Sequence, residues 1–261
     1  PISEKFSKRI DTAISEEFDL TDDKHTLQAE IADKAGNKSS ISSSSFLVDT
    51  VPPVILIESP FNNSFLNNST VRIRVSYYDP VPSSGINSGL NLGSLSIGLD
   101  GVEITPSSIG ETYVEFNTNV QDGAHTLSVK ISDIAKNHTE SSASFFVDTK
   151  PPDVIIDTPV DSSFTPLKKP GIVVRYFDFE PSSGLILESF KLALDGADFS
   201  ASVTPTASGV SFKLWYELSD GWHTIKAEIR DRAGNVGVKE SRFFVDTTPP
   251  EVRIIEPIGT V

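Results

Sequence analysis

The groups with chemistry to offer in this 261-residue chain are carboxylates. Asp79 closes an alternating stretch in which Val71, Ile73, Val75 and Tyr77 share one face. Asp133 closes another, after Leu127, Val129 and Ile131. Both have the parity of the apolar residues, so both point inward where an extended segment ends. Asp178 and Asp231 hold the same places 99 and 98 residues further on, and Asp49 and Asp148 stand in a recurring Val-Asp-Thr-x-Pro-Pro segment ahead of each set. If those ends meet, three carboxylates converge twice, as Asp49 with Asp79 and Asp133, and as Asp148 with Asp178 and Asp231. Like charges so placed repel unless something compensates. One compensation is backbone N–H groups, in Asx-type turns closing Ser83-Ser84-Gly85 or Ala135-Lys136-Asn137. The other is calcium, a hard cation that takes six to eight oxygens. The chain has no Asp-x-Asp-x-Asp-Gly loop, and both readings stay open.

Catalytic chemistry finds little footing. There is no Cys and no Gly-x-Ser-x-Gly elbow. Three of the four histidines, His25, His125 and His223, hold one place in the repeat. Each follows a turn (Asp22-Asp23, Asp122-Gly123, Asp220-Gly221) and opens an alternating stretch. No second His falls at metal-ligand spacing. A nucleophile or acid partner would be needed for catalysis, so these rings are expected to hold turns.

The elements that must position these groups repeat. The Val-Asp-Thr-x-Pro-Pro segment occurs at 48–53, 147–152 and 245–250. A period this long exceeds the 20–50 residues of solenoid units and matches one small domain. Within residues 53–150, extended segments are expected at 54–57, 70–79, 94–99, 102–105, 113–120, 125–133 and 141–148. Asp100-Gly101 and Asp122-Gly123 are turn signals. Seven short strands without helical period predict an all-β chain of tandem immunoglobulin-like β-sandwiches joined by short Pro-Pro linkers. Residues 151–249 repeat the pattern, with Ile172, Val174 and Tyr176, then Leu192 and Leu194, then Ile225, Ala227 and Ile229 facing inward. Residues 1–52 match only the second half of a unit, through Phe18, Leu27, Ile31 and Phe46, and 250–261 match a first strand. Such a half-unit exposes sheet edge and core, so it is expected to be the least ordered part or to accept a strand from elsewhere.

Lys and Arg number 22 and Asp and Glu 36, a net charge of −14. That excludes a nucleic-acid footprint, which needs clustered cations. No apolar run approaches the length of a membrane helix, so no direct membrane insertion is expected. With no Met at all, the sequence reads as a piece of a longer chain.

The motifs Asp-Gly-Trp-His-Thr (220–224), Asp-Arg-Ala-Gly-Asn (231–235) and Val-Asp-Thr-Thr-Pro-Pro (245–250), with Ser-Ser-Gly-Ile (83–86) and Leu-Asp-Gly (99–101), resemble the bacterial Ig-like domains of large secreted and cell-surface proteins. The resemblance covers essentially the whole chain. It implies an extracellular or cell-surface location and a non-catalytic role: stalk, adhesin spacer or surface-layer component, an extended semi-rigid rod. The expected partners are neighbouring Ig-like domains of the same chain, and beyond them cell-surface or self-assembly partners. The alternatives are a carbohydrate- or ligand-binding accessory module of a secreted enzyme, or a self-assembling filament or lattice subunit. Trp215, Trp222, Tyr113 and Tyr216 could suggest a sugar platform, but Trp222 has Ala124 and Lys24 as counterparts, and no exposed aromatic row is expected. The histidines take the job of the tyrosine corner, bonding backbone a few residues upstream. Lys136 stands where Gly36 and Gly234 do, a departure that carries strain if the position needs positive φ. Asn37, Asn67, Asn68 and Asn137 open N-glycosylation sequons.

Overall fold

The computed structural model describes residues 6–8, 13–15, 19–83 and 85–253. Phe18, Ser84 and residues 254–261 of the first strand expected over 250–261 lie outside the described residues, and the described residues 250–253 are not in a strand. Inter-residue contacts divide the chain into two compact units. One holds Pro1–Phe61, Arg72–Phe116 and Thr126–Ala143; the other holds Asn62–Val71, Asn117–His125 and Ser144–Val261. No α-helix occurs among the described residues, and none of their helices is long and apolar enough to cross a membrane.

Strands β1 (Phe6–Lys8) and β2 (Ala13–Ser15) pair with each other. Strands β3 (Asp23–Ala29) and β4 (Ser42–Val48) form an antiparallel hairpin. Next come β5 (Val54–Ser59), β6 (Ser64–Leu66), β7 (Thr70–Tyr78), β8 (Leu90–Leu99), β9 (Val102–Ile104), β10 (Tyr113–Asn119), β11 (Gly123–Asp133) and β12 (His138–Val147). They make a three-stranded sheet, β10-β7-β5, and a five-stranded sheet, β6-β12-β11-β8-β9. The series repeats as β13 (Asp153–Thr158), β14 (Ser163–Thr165), β15 (Gly171–Phe177), β16 (Leu185–Leu194), β17 (Ala197–Asp198), β18 (Val210–Lys213), β19 (Gly221–Asp231) and β20 (Val236–Val245). Its sheets are β13-β15-β18 and β14-β20-β19-β16-β17. This is the immunoglobulin-like sandwich in tandem.

Alternation in the sequence explains the layers. In β7 the inward Val71, Ile73, Val75 and Tyr77 are buried while Arg72 is exposed, and in β11 Leu127, Val129 and Ile131 are buried between exposed neighbours. The second core is built from the same places, by Val174, Tyr176, Leu192, Ile225, Ile229 and Phe243. Burying one large aliphatic side chain stabilises by about 1.5–3 kcal/mol. Tyr77 and Tyr176 are fully buried, and each hydroxyl donates to a backbone carbonyl, of Gly110 at 2.8 Å and of Thr206 at 2.5 Å. That removes the cost of an unpaired polar group.

Sequence periodicity misses the three-residue strands β6 and β14. They pair parallel with β12 and β20, and three residues are too short to display a period. The β3–β4 hairpin contrasts with its counterparts. Leu27 and Phe46 are 41% and 44% exposed, whereas Leu127 and Phe145 are 0% and 3% exposed. The difference is the second sheet that covers β11 and β12, which has no counterpart over β3 and β4 among the described residues.

Candidate functional site

Asp49 follows β4, Asp79 follows β7 and Asp133 ends β11. Strands β7 and β11 lie in opposite sheets, and their ends bring these three carboxylates together. One oxygen from each lies within 4.8 Å of the others. Asp148, Asp178 and Asp231 form a second cluster of the same kind. Asp133, Asp148 and Asp231 are essentially inaccessible, and Asp49 is 7% exposed. The candidate metal ligands read from the sequence therefore converge in both sets.

The loops supply hydrogen bonds in a repeated pattern. Asp49 accepts from the N–H of Val51 (3.2 Å) and of Ser88 (2.7 Å). Asp79 accepts from the N–H of Gly89 (2.7 Å). Asp133 accepts from both the N–H and the side-chain amide of Asn137 (2.8 and 2.7 Å). In the second cluster Asp148 accepts from Lys150 and Ser183, Asp178 from Gly184, and Asp231 twice from Asn235. The turn of Asp133 closes on Asn137, within the expected loop. That of Asp79 closes on Gly89, later than the expected Gly85. The Gly85 N–H donates instead to the Pro82 carbonyl, at 2.9 Å.

Magnitudes decide what these bonds achieve. Two charged carboxylate oxygens no more than 4.8 Å apart repel by about 3 kcal/mol or more at an effective dielectric of 20. Three pairs thus oppose five hydrogen bonds to charged acceptors, each about 1.5–3 kcal/mol. The two sides roughly balance. Desolvation and then the neighbouring carboxylates push Asp79 and Asp178 above the ordinary Asp range. Burial also pushes Asp49 upward, but its bonds to Ser88 and Val51 outweigh it and leave it lowered. Asp79 Oδ1 is buried without a hydrogen-bond partner. A proton or a cation would satisfy that oxygen. A calcium ion would take up to three carboxylate oxygens here, with the rest from carbonyls and water.

Residues that sequence reasoning passed over tie the linkers down. Asn137 and Asn235 donate a second amide hydrogen to the carbonyls of Asp49 and Asp148. Asp22, Asp122 and Asp220 accept from both the backbone and hydroxyl of Thr50, Thr149 and Thr247. The signal was present, since all of these residues recur with the period. The amide nitrogens of Asn37 and Asn137 are taken by Asp33 and Asp133, so those two sequons do not present free acceptors.

The three histidines sit where the turns place them. Nε2 of His25, His125 and His223 donates to the carbonyl four residues upstream, of Thr21, Gln121 and Ser219, each at 2.8 Å. His223 Nδ1 also meets Asp195 Oδ2 at 2.6 Å. Burial alone would lower its pKa, but the Asp195 carboxylate and Ser219 carbonyl outweigh that and raise it.

One expectation is overturned: an exposed aromatic row exists. Trp222 in β19 faces Phe244 in β20, which faces Phe164 in β14. Trp222 is 49% and Phe164 69% exposed. The row was hidden because its third member lies in the short strand β14.

The bacterial Ig-like domain family matches residues 18–50, where the motif resemblance places the half-unit. In fold, the chain is similar to the fibronectin(III)-like modules of Clostridium thermocellum CbhA, at 13% identity over 78% of this chain and 100% of that one, with a TM-score of 0.40. It is also similar to titin domains I67–I69 at 14% identity, over 75% of this chain and 66% of that one, with a TM-score of 0.46. Sidekick-1 immunoglobulin domains 1–4 share 14% identity, over 94% of this chain and 64% of that one, with a TM-score of 0.42. No curated protein matches the chain in sequence.

Proposed function

We propose that the chain is a non-catalytic structural repeat region of an extracellular protein, a spacer built from Ig-like domains whose joints are held stiff. One observation carries this reading. The linker aspartate is bonded into the loops of the sandwich that follows it: Asp148 to Ser183 and Asn235, all in one compact unit, and Asp49 to Ser88 and Asn137 in the other. Each linker also carries Pro-Pro, which fixes φ twice. In this reading calcium at the carboxylate clusters tightens the joints, and the unpaired Asp79 Oδ1 supports it.

The test is thermal unfolding of the chain in calcium and in chelator. An ion held only by the folded joint raises stability by RT ln(1 + [L]/Kd), about 2.7 kcal/mol at a hundred-fold excess over Kd. Asp178→Asn is expected to remove the part of that gain due to the second cluster while raising stability in chelator, because one repelling charge is gone. Equal melting in calcium and chelator leaves the joints to hydrogen bonds and prolines alone. Amide relaxation showing 148–150, the linker residues that carry an N–H, as mobile as a free linker overturns the spacer reading itself.

A second reading, a carbohydrate-binding accessory module, is favoured by the exposed aromatic row. Its rings are tilted by 41°, 58° and 83° to one another. They offer no common plane for a sugar, so the spacer reading is preferred.

A further inference from the structure

Where β19 begins and β20 ends, the second sandwich presents the same groups as the joint before it, but open. At the earlier joint, inside one compact unit, Asp148 is fully buried, Val154 is 9% exposed and Arg232 lies over the Phe65 ring at 5.9 Å. Phe65 pairs with Phe146 as Phe164 pairs with Phe244. Phe164 is therefore the counterpart of Phe65, Asp246 of Asp148 and Val252 of Val154. At this end Asp246 is exposed, Val252 is 88% exposed, and Phe164 is 69% exposed against 37% for Phe65.

From these pairs we propose that Phe164, Phe244 and Trp222 form a docking face for the loop of a further Ig-like repeat joined through Pro249-Pro250. That loop corresponds to 232–235, between β19 and β20, and places a basic side chain over the rings as Arg232 does over Phe65. Ring faces attract guanidinium, and indole does so best. Trp222 stands where the first sandwich has Ala124, so this face offers one more ring than the joint already formed. Arg242 lies 4.9 Å from the Trp222 centroid and shows that the indole takes a guanidinium. The inference names the partner of the spacer reading and rests on it.

The experiment uses the chain with a second copy of residues 153–250 appended after Pro250. Trp215 and both tryptophans of the copy are changed to Phe, so that Trp222 is the only indole. Its emission is expected to shift to the blue and its quenching by acrylamide to fall relative to the chain alone. Arg232→Ala in the copy should reduce the docked fraction about two- to five-fold. As a check on the joint already formed, Phe65→Ala should move the Nε–H resonance of the original Arg232. Unchanged Trp222 accessibility in the tandem overturns the proposal. So does protection that depends on protein concentration, which means a second copy docks in trans, and so does protection given by oligosaccharides alone. Mobility confined to 246–248 removes only this docking, whereas mobility at 148–150 as well removes the spacer reading.

Discussion

Lys136 offers a test in which the repeats act as controls for one another. Its φ is 78°, in the left-handed region, where Gly36 and Gly234 have 88° and 93°. The geometry is fixed by the turn: Asp133 accepts from Asn137, and the Lys136 N–H meets the Asp133 carbonyl at 3.3 Å. Left-handed backbone costs an L-residue about 1–2 kcal/mol. Gly recovers that but loses about 0.4–1 kcal/mol to the greater freedom of its unfolded chain. Lys136→Gly should therefore stabilise the first sandwich by about 0.5–1 kcal/mol, or about 2–8 °C in Tm. Gly234→Lys should cost the second sandwich a similar amount. A Cβ at Gly234 meets nothing nearer than Asn67 Nδ2 at 4.0 Å, so only the backbone term acts. Trp215 and Trp222 are the two tryptophans and both report the second sandwich. Their fluorescence follows Gly234→Lys, and exchange of the Leu127 and Val129 amides follows Lys136→Gly. A Lys136→Gly protein that is no more stable than the parent refutes the reasoning, since the turn would then not hold positive φ in solution.

Gly237 is a sterner position, because a Cβ there would meet the carbonyl oxygen of Pro152 at 2.1 Å and its carbon at 2.9 Å. Gly237→Ala should destabilise the second sandwich by about 2 kcal/mol or more, and denaturant unfolding followed by tryptophan fluorescence that shows no loss would contradict this. His223 should make that sandwich pH-dependent. Its folded pKa is raised above the ordinary 6.5, so its contribution is complete below about 6.5 and is lost as pH climbs through the folded value. Melting temperature should fall across that window in the parent and lose this slope in His223→Gln. Amides of β3 and β4 should exchange faster than those of β11 and β12, since Leu27 and Phe46 lack the cover that Leu127 and Phe145 have. Equal protection in hydrogen exchange would show a covering sheet.

The sequence by itself determined the all-β character and the inward faces. Alternation with period two is a local property, and Val71 to Tyr77 or Leu127 to Ile131 display it without reference to anything distant. It also marked the aspartates, because a charged residue with apolar parity at a strand end is anomalous on its own. Only the tertiary structure decided how their charge is shared out. The partners of Asp49 and Asp148 lie 39 and 88, and 35 and 87, residues away, on Ser88 and Asn137, and Ser183 and Asn235. No local pattern specifies contacts of that separation. The aromatic row needed the sheet for the same reason. Phe164, Trp222 and Phe244 are far apart along the chain and become neighbours only through the pairing of β14, β20 and β19. Side chains across adjacent strands approach because backbone hydrogen bonds set the strand spacing, and that pairing is a property of the folded chain.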